Sequence, residues 1–405
     1  MFARYLRKDL SERAKKIPVI AIVGPRQSGK TTLAKAVFKK YAYVSLETFE
    51  DRELAEADPR RFFEAYDNGN GIIIDEVQRV PKLLSYVQLL VDAEYKPGYF
   101  ILTGSQNIVL NQAISQTLAG RITIFTLLPL SIAEMRSNKL LPAAIESLAW
   151  KGFYPRIYDH DLDPVSWYLD YIETYVERDA RHIVNISQLA TFRRFIRLCA
   201  GRVGQLLNVT SLATDCGVDQ RTAKSWLSVL EASYIIFFLQ PHHENFSKRL
   251  IKSPKIYFYD SGLVCSLLDI QSVDQLNDHY LRGNIIESMI VADIIKHYYN
   301  AGERPHHVYF WRDQTGNEID CIIHKKNKLV PVEIKASKTI VNDFFKGLYY
   351  FSTLSKAHAK TAPGYVIYAG SKNQKRAQGT VVSWRNIDDI FERGSHVSST
   401  KKSRS

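Results

Sequence analysis

An α/β protein, with a parallel sheet covered by helices in its first third, is the fold class that this sequence predicts. Three observations support it. Five short apolar runs alternate with charged, amphipathic segments up to residue 126. The first run leads into a glycine-rich turn and then a helical pattern. A separate α+β pattern occupies residues 281–391. Short continuous apolar runs are typical of strands buried on both faces.

The composition is that of an ordinary globular protein. The chain has 405 residues, 45% hydrophobic and 24% charged. Its length predicts about two to four domains of roughly 100–200 residues each, and its composition excludes a mainly disordered or collagenous protein. The net charge of +12 favours a polyanionic partner such as DNA without proving one.

Cysteine usage and hydropathy predict a reducing, cytoplasmic location. The four cysteines are widely spaced and form no CxxC pair, which argues against a disulfide framework or a structural zinc site. The first sixteen residues are charged and lack the apolar core of a secretory signal. No apolar run approaches the roughly 20 residues of a spanning helix, so we expect no membrane partner.

Taken in order, the elements predict a sheet, a helical region, a hairpin and a final α+β unit. The first strands are predicted at 18–23, 42–46, 71–75, 99–103 and 122–126. Residues 166–183 form a predicted amphipathic helix with Trp167, Tyr171, Thr174 and Tyr175 at helical spacing. Two strands at 235–240 and 255–259 follow, joined by a basic connection at 241–254. The polar, basic tail 393–405 is expected to be disordered.

The turn after the first strand matches G-x-x-x-x-G-K-[ST] between a strand and a helix, which is the context that a phosphate-binding loop requires. Its backbone N–H groups and the helix N-terminus favour phosphate, and an expected ATP ligand would lie there. Lys30 would reach the β- and γ-phosphates, and Thr31 would ligate Mg²⁺. The expected nucleotide-binding residues are Gly24, Pro25, Arg26, Gln27, Ser28, Gly29, Lys30, Thr31 and Thr32.

Two acids end the predicted strand at 71–75. The carboxyl edge of a parallel sheet is where ligands bind, so Asp75 is expected beside the Mg²⁺ ion. Glu76 follows it and would polarise an attacking water, which favours hydrolysis over phosphoryl transfer to a metabolite.

Two further groups are candidates for sensing the bound nucleotide. The next strand ends at Leu102–Asn107, where Thr103 or Ser105 would sense the γ-phosphate if this strand is inserted in the sheet centre. Arg121 precedes the last strand. It would either reach a neighbouring subunit as an arginine finger or form an ion pair within its own subunit.

Residues 212–230 show a helix-turn-helix pattern. Leu212 and Ala213 would pack inside the first helix and Gly217 would make the turn, with the hairpin after them as a wing. The core face of the second helix is expected to hold Val218, Thr222, Trp226 and Leu230. Its outer face would carry Gln220, Arg221, Lys224, Ser225 and Ser228. These outer residues either contact a DNA groove or belong to an interdomain spacer.

A carboxylate–lysine set is predicted in the last unit. Glu287 lies on the packed stripe of a helix at 283–299, so it needs a cation partner. Strand alternation places Glu333 and Lys335 on one face of the strand 329–336. If Asp320 shares that face, Asp320 and Glu333 can hold Mg²⁺ while Lys335 orients a water. The alternative is a half-exposed sheet with salt bridges.

The chain as a whole resembles prokaryotic AAA-superfamily ATPases fused to a C-terminal domain of unknown function that is similar to PD-(D/E)XK nucleases. The resemblance covers roughly residues 15–390. It rests on the segments GPRQSGKTT, IIIDEVQRVP, FILTGS, LAGRITIFTLLPLS, YIETYVERDARHI, YFYDSGL, RGNIIES, FWRDQTGNEID and VEIKAS. One departure is Ile319, where the nuclease pattern has proline before the first acid.

The resemblance implies a domain order and roles for several residues. The expected domains are a P-loop AAA-type core at 1–130, a helical lid at 131–190, a winged helix at 191–262 and a nuclease-like domain at 263–392. Arg121 is implied as a finger. The nuclease-like catalytic set is implied to be Glu287, Asp320, Glu333 and Lys335.

Two functions therefore stay open from the sequence. The favoured one is an ATP-hydrolysing homo-oligomer that acts on DNA and carries a possible Mg²⁺-dependent nuclease domain. The alternative is a nucleotide-switched regulatory or DNA-binding protein whose nuclease-like domain is inactive. A P-loop metabolite kinase fits less well, because Glu76 and the long basic C-terminal half do not suit it.

Overall fold

The computed structural model describes residues 1–105, 117–176, 189–242, 252–326, 328–355 and 361–392. The predicted tail 393–405 and most of the connection 241–254 lie outside them. The described residues divide into two compact units. The first comprises those of Met1–Pro241 and Lys252–His306, and the second comprises His242 and those from His307 onward. Because α15 (Arg282–Asn300) belongs to the first unit, this division differs from the expected domain boundary at residue 263.

The first unit is built on a parallel five-stranded sheet, as the apolar runs predict. Its strands are β1 Val19–Val23, β2 Ala42–Ser45, β3 Ile72–Asp75, β4 Phe100–Gly104 and β5 Ile122–Thr126. Their order is β2-β3-β4-β1-β5. β4 thus lies at the centre of the sheet, between β3 and β1, which is the condition on which the sensor role of Thr103 or Ser105 depends. All five residues of β1 are buried, since the sheet is covered on both faces.

Helices surround this sheet and extend the first unit. Those of the N-terminal half are α1 Arg7–Ala14, α2 Lys30–Val37, α3 Phe49–Ala57, α4 Pro59–Tyr66, α5 Lys82–Ala93, α6 Ile132–Ser137, α7 Ile145–Lys151, α8 Pro155–Asp159 and α9 Pro164–Tyr171. The side chains of α1 and α2 form one core with the sheet, through Leu10, Leu33, Ile20, Ile101 and Phe125.

The amphipathic helix predicted at 166–183 is different in the structure. An α-helix ends at Tyr171 and a π-helical turn follows over Ile172–Val176; residues 177–183 lie outside the described part. Trp167 and Tyr171 are buried as expected, but Thr174 is exposed. The wider π-turn moves Thr174 off the apolar stripe, because an i→i+5 bond replaces the i→i+4 spacing.

Three helices and a two-stranded ribbon follow in the same unit. They are α10 Leu189–Ala200, α11 Val209–Cys216, α12 Gln220–Ala232, β6 Ile236–Leu239 and β7 Lys255–Phe258, with β6 and β7 antiparallel. Trp226 and Leu230 are buried on α12 as predicted. Val218 and Thr222 are only half-buried, because α12 begins at Gln220 with Asp219 as its N-cap and these two residues flank its exposed end. The unit ends with α13 Ser261–Leu267, α14 Val273–Asp278 and α15.

The second unit contains a six-stranded mixed sheet and a packed helix. Its elements are β8 Val308–Arg312, β9 Glu318–Lys325, β10 Lys328–Lys335, α16 Lys346–Ser355, β11 Tyr365–Tyr368, β12 Gln374–Arg376, β13 Gly379–Ser383 and α17 Asp389–Glu392. The strand order is β12-β13-β11-β10-β9-β8. Phe345, Leu348 and Phe351 pack against the sheet.

No helix in the described residues is both long enough and apolar enough to cross a membrane.

Candidate functional site

The loop between β1 and α2 is folded tightly against the sheet. Gly24 has a φ of 145°, and a Cβ atom there would lie 2.2 Å from the Leu127 carbonyl oxygen, so only glycine fits. Gly29 is the N-cap residue of α2. Lys30 is buried, and its Nζ donates to the carbonyl oxygens of Gly24 at 3.1 Å and Pro25 at 2.8 Å. The ammonium group of Lys30 thus lies against the carbonyl oxygens of its own loop, close to the N-terminus of α2.

Ser28 supports an anionic ligand in this loop. Its side chain is fully buried, and within the described part of the chain no hydrogen-bond partner reaches its Oγ atom. A buried hydroxyl without a partner is costly. Phosphate oxygens are acceptors that would satisfy it, and they would also compensate the positive charge of Lys30. The loop therefore fits a phosphate group.

The Arg4 side chain supports the loop between β1 and α2 through hydrogen bonds. Its guanidinium donates to the Ser28 carbonyl oxygen at 2.8 Å, the Leu128 carbonyl oxygen at 2.6 Å and Glu134 Oε1 at 3.0 Å. Glu134 in turn closes the capping box of α6 with Ser131. Both Arg4 and Glu134 are buried. One side chain thus connects the phosphate loop to the region after β5.

The Asp75 carboxylate accepts hydrogen bonds from three hydroxyl groups, which lie on three different elements. Thr31 Oγ1 donates to its carboxylate at 3.0 Å, Tyr43 donates at 3.0 Å, and Thr103 also donates. Burial, and then the Asp75 charge, raise the pKa of Tyr43 to about 12, so the phenol remains a donor at neutral pH. Oxygen ligands are those that Mg²⁺ prefers. Thr31 and Asp75 bring such oxygens together, and their role as Mg²⁺ ligands remains a prediction.

Glu76, the residue directly after β3, has an unusual backbone conformation. Its backbone is left-handed, with φ 55° and ψ 43°, which is uncommon for a residue other than glycine. Its carboxylate accepts hydrogen bonds from Ser105 Oγ at 3.1 Å and from Gln78. Of the two sensor candidates, Thr103 therefore contacts the Asp75 carboxylate and Ser105 contacts the Glu76 carboxylate. Backbone strain of this kind clusters at functional sites.

These groups open into a cleft of about 390 Å³, which we call the loop cleft. It is lined by Met1, Phe2, Arg4, the loop and helix residues Arg26–Leu33, Glu47, Asp75, Glu76, Pro155, Arg156, Asp159, His160 and Tyr175. Its size is within the usual range of small-molecule sites. Thr32 lies in this wall, whereas Gly24 and Pro25 contribute the carbonyl oxygens that hold Lys30.

The helices after β5 contact the loop through two of its side chains. Gln27 donates from Nε2 to the Tyr175 hydroxyl at 2.9 Å and accepts from Arg156 at 3.4 Å. The Arg26 guanidinium lies 5.6 Å from the centre of the Tyr175 ring. The Tyr171 hydroxyl also donates to the Arg26 carbonyl oxygen at 3.5 Å. A lid over the loop at residues 131–190 remains a prediction, and Arg156, Tyr171 and Tyr175 are described side chains of that range that contact the loop.

Arg121 forms a close ion pair inside its own subunit. Its Nε and Nη2 atoms donate to the two carboxylate oxygens of Asp92 at 2.6 Å and 2.9 Å. This is the intramolecular alternative considered for Arg121. The side chain is one-third exposed, so the finger role remains a prediction.

The outer face of α12 is exposed as the sequence predicts. Gln220, Arg221, Lys224 and Ser228 are exposed and Ser225 is half-buried. Gln220 is bonded to Thr210. The described residues thus present a polar surface with two basic side chains, and a DNA-reading role remains a prediction.

In the second unit, three of the four predicted nuclease-like residues meet. Lys335 Nζ lies 2.7 Å from Glu333 Oε2 and 4.0 Å from Asp320 Oδ2. Asp320 also accepts a hydrogen bond from the Ile334 backbone at 2.7 Å. Glu333 is 4% exposed because α16 approaches it at Gly347, where a Cβ atom would lie 2.2 Å from Glu333 Oε1. Burial, and then the Asp320 charge, raise the pKa of Glu333 to about 8.

Glu287 lies in the first unit, on α15. As expected from its packed position, it has a cation partner: Lys255 Nζ lies 3.0 Å from its Oε1 atom, and the Tyr257 hydroxyl donates to the same oxygen. Its membership of the nuclease-like set remains a prediction.

Sequence reasoning missed Arg4, Tyr43 and Arg156. Arg4 lies 20 residues before the loop, and nothing in its neighbours marks it as a contact of Ser28. Tyr43 is the second residue of β2 and lies on the exposed side of that strand, so the strand pattern gives no sign of its contact with Asp75. Arg156 follows Pro155, and proline there predicts the start of a helix, but nothing in the segment indicates that the Arg156 side chain contacts Gln27.

Three family models match this sequence. An AAA domain matches residues 16–136, a domain of unknown function (DUF8612) matches residues 143–274, and another domain of unknown function (DUF4143) matches residues 282–387. The phosphate loop, Asp75 and Glu76 all lie within the AAA domain. The predicted fusion of an AAA domain to a C-terminal domain of unknown function is therefore confirmed.

Two curated relatives match most of the chain. They are the uncharacterized protein Rv2008c of Mycobacterium tuberculosis and the uncharacterized protein Mb2031c of Mycobacterium bovis. Each is 30% identical over 341 residues, which cover 82% of this chain and 74% of the relative.

Among solved structures, the chain is similar to the Walker-type ATPase paby2304 of Pyrococcus abyssi, with a TM-score of 0.41 and 14% identity over 66% of this chain and 96% of that one. The Holliday junction branch migration motor RuvB of Thermotoga maritima matches with a TM-score of 0.30 and 18% identity over 57% and 88%.

Proposed function

This chain belongs to the family of the uncharacterized mycobacterial protein Rv2008c, and from its AAA domain and loop cleft we propose that it binds ATP and hydrolyses it with Mg²⁺. The observation that carries the proposal is the convergence of Lys30, Thr31, Asp75 and Glu76 on one cleft. The direct test is phosphate release from ATP by the purified full chain, with and without Mg²⁺. A chain that releases no phosphate under either condition contradicts the proposal.

Each group of the loop cleft has a task in this reaction. Lys30 and the loop N–H groups bind the phosphates, and the Ser28 hydroxyl donates to one of their oxygens. Thr31 and Asp75 would hold Mg²⁺, which supplies charge neutralisation when bound. Glu76 accepts a proton from the water that attacks the γ-phosphate. Ser105 and Gln78 keep that carboxylate in place.

We also propose an ATP-dependent homo-oligomer in which Arg121 acts on the nucleotide of a neighbouring subunit. The support is the position of Arg121 directly before β5, with one-third of its side chain exposed. The Asp92 pair would then hold the side chain until a neighbour is present.

Arg121→Ala should lose ATP hydrolysis while it keeps ATP binding. Mixing this variant with a Lys30→Ala variant should restore part of the activity, because the second subunit supplies the arginine to a site that still binds ATP. Asp92→Asn is the matched control. It breaks the same ion pair but keeps the guanidinium, so hydrolysis should persist. A mixture that stays inactive, although the Arg121 variant binds ATP and assembles, argues against the trans role.

The second activity that we propose is Mg²⁺-dependent cleavage of DNA by the second unit. Asp320 and Glu333 present carboxylate oxygens beside the Lys335 ammonium, which is the set of groups that a cleavage site needs. Burial, and then the neighbouring Asp320 charge, raise the pKa of Glu333, and a hard cation between the two carboxylates would offset both effects. The basic net charge and the exposed Arg221 and Lys224 favour DNA as the partner.

Asp320→Ala or Lys335→Ala should each remove nicking of a supercoiled plasmid in Mg²⁺ or Mn²⁺ without affecting ATP hydrolysis, because the loop cleft lies in the other unit. Asp343→Ala is the control, since it removes an exposed acid of the same unit that pairs with Lys346. Wild-type protein that shifts plasmid on a gel without nicking it would instead favour the nucleotide-switched binding protein.

A further inference from the structure

Three successive residues near the start of the chain, Ala3, Arg4 and Tyr5, are held by hydrogen bonds. Asn138 holds the Ala3 backbone from both sides, with its Oδ1 2.8 Å from the Ala3 nitrogen and its Nδ2 3.0 Å from the Ala3 oxygen. Arg4 makes its three bonds to Ser28, Leu128 and Glu134. The Tyr5 nitrogen donates to Glu134 Oε1 at 3.0 Å. We call residues 1–5 the anchored segment.

The anchored segment presents an aromatic ring to the loop cleft. Phe2 directly precedes the clamped Ala3, is half-buried, and lines the cleft. Ala3 and Tyr5, in contrast, are exposed, and neither of them lines the cleft. The hydrogen bonds on Ala3 therefore also restrict the backbone next to Phe2, whose side chain lines the cleft.

The lining of the loop cleft combines two kinds of side chain. Lys30, Ser28, Thr31 and the two acids are charged or polar. Phe2 contributes an apolar face to the same cleft, and the Pro155–Arg156 and Asp159–His160 pairs also line it. A nucleoside triphosphate has the same division, with its phosphates at one end and a flat, weakly polar base at the other.

We propose that Phe2 stacks on the base of the bound nucleotide and so distinguishes a nucleoside triphosphate from free phosphate compounds. The inference rests on the proposed function, since it assigns the part of ATP that the phosphate loop does not bind. Aromatic rings stack on any base, because every base has a π-face. Phe2 is thus a specificity residue and takes no part in phosphate chemistry.

The test compares two ligands on the full chain by calorimetry in Mg²⁺. One is ATP, and the other is inorganic tripolyphosphate, which has the phosphates without a base. Phe2→Ala should weaken ATP binding about tenfold, the size of a base-stacking contact, and leave tripolyphosphate binding unchanged. Tyr5→Ala is the matched control. It removes an aromatic ring from the same segment, but this ring does not line the cleft, so both affinities should stay as in the wild type.

A second variant separates loss of the stacking ring from the general effect of shortening the Phe2 side chain. Phe2→Trp retains a stacking ring, so it should bind ATP like the wild type and add a tryptophan emission that ATP changes and tripolyphosphate does not. Equal loss of both ligands in Phe2→Ala overturns the inference, and so does unchanged ATP affinity. Wild-type protein that binds ATP no more tightly than tripolyphosphate also overturns the inference, but it leaves the phosphate-binding role of the loop intact. Wild-type protein that binds neither ligand overturns the proposed function itself.

Discussion

Replacing Lys30 with alanine should weaken ATP binding at least about a hundredfold and abolish hydrolysis. The reason is that Lys30 brings a full positive charge to the β- and γ-phosphates, and a hydrogen bond to a charged group contributes about 1.5–3 kcal/mol. Loss of two such contacts removes about 3–6 kcal/mol. The measurement is ATP affinity by calorimetry, alongside phosphate release.

Lys35→Ala is the control for this change. Lys35 lies on the same helix, but its Nζ lies 3.3 Å from the centre of the Tyr43 ring rather than in the loop. Its removal should leave ATP affinity within about twofold of the wild type. A Lys30→Ala variant that binds ATP normally would show that the loop is not the phosphate site.

Glu76→Gln should bind ATP like the wild type and hydrolyse it about 10²–10⁴ times more slowly. Glutamine keeps the size of the side chain and can still contact Ser105, but it cannot accept a proton from water. Because the lost interaction exists only during the reaction, the turnover rate should fall and the affinity should not. Single-turnover phosphate release at saturating ATP measures the effect.

Glu47→Gln makes the same chemical change in the same cleft. Glu47 is more than half exposed and pairs with Arg79 at 3.3 Å, so its charge is already compensated by that guanidinium. Hydrolysis should persist in this variant. If both glutamine variants lose activity equally, general charge in the cleft matters and Glu76 has no special role.

The parts of the site that could be predicted are those encoded by local spacing. The loop pattern and the two acids after β3 lie within short segments, and their strands carry continuous apolar runs. The carboxyl edge of a parallel sheet then brings the strand ends together without further information. The Glu333–Lys335 pair was equally accessible, because alternation along one strand fixes a shared face.

The parts that could not be predicted depend on contacts between distant residues. Arg4 binds Ser28, Leu128 and Glu134, and no local pattern states that these four meet. The π-turn at Ile172–Val176 changes the side-chain period within a sequence that reads as a regular helix. Glu287 was predicted to need a cation, but the choice of Lys255 depends on how β7 packs on α15.

The brace that Arg4 provides has a thermodynamic consequence for ligand binding. A glycine-rich loop that is free in solution loses backbone entropy when it closes around phosphate, at about 1–2 kcal/mol for each residue that becomes fixed. Here the Ser28 carbonyl oxygen is already held by a buried guanidinium that is itself held by Glu134. Much of that ordering is therefore completed during folding, when the core of the first unit forms. A larger share of the phosphate contact energy then remains as affinity.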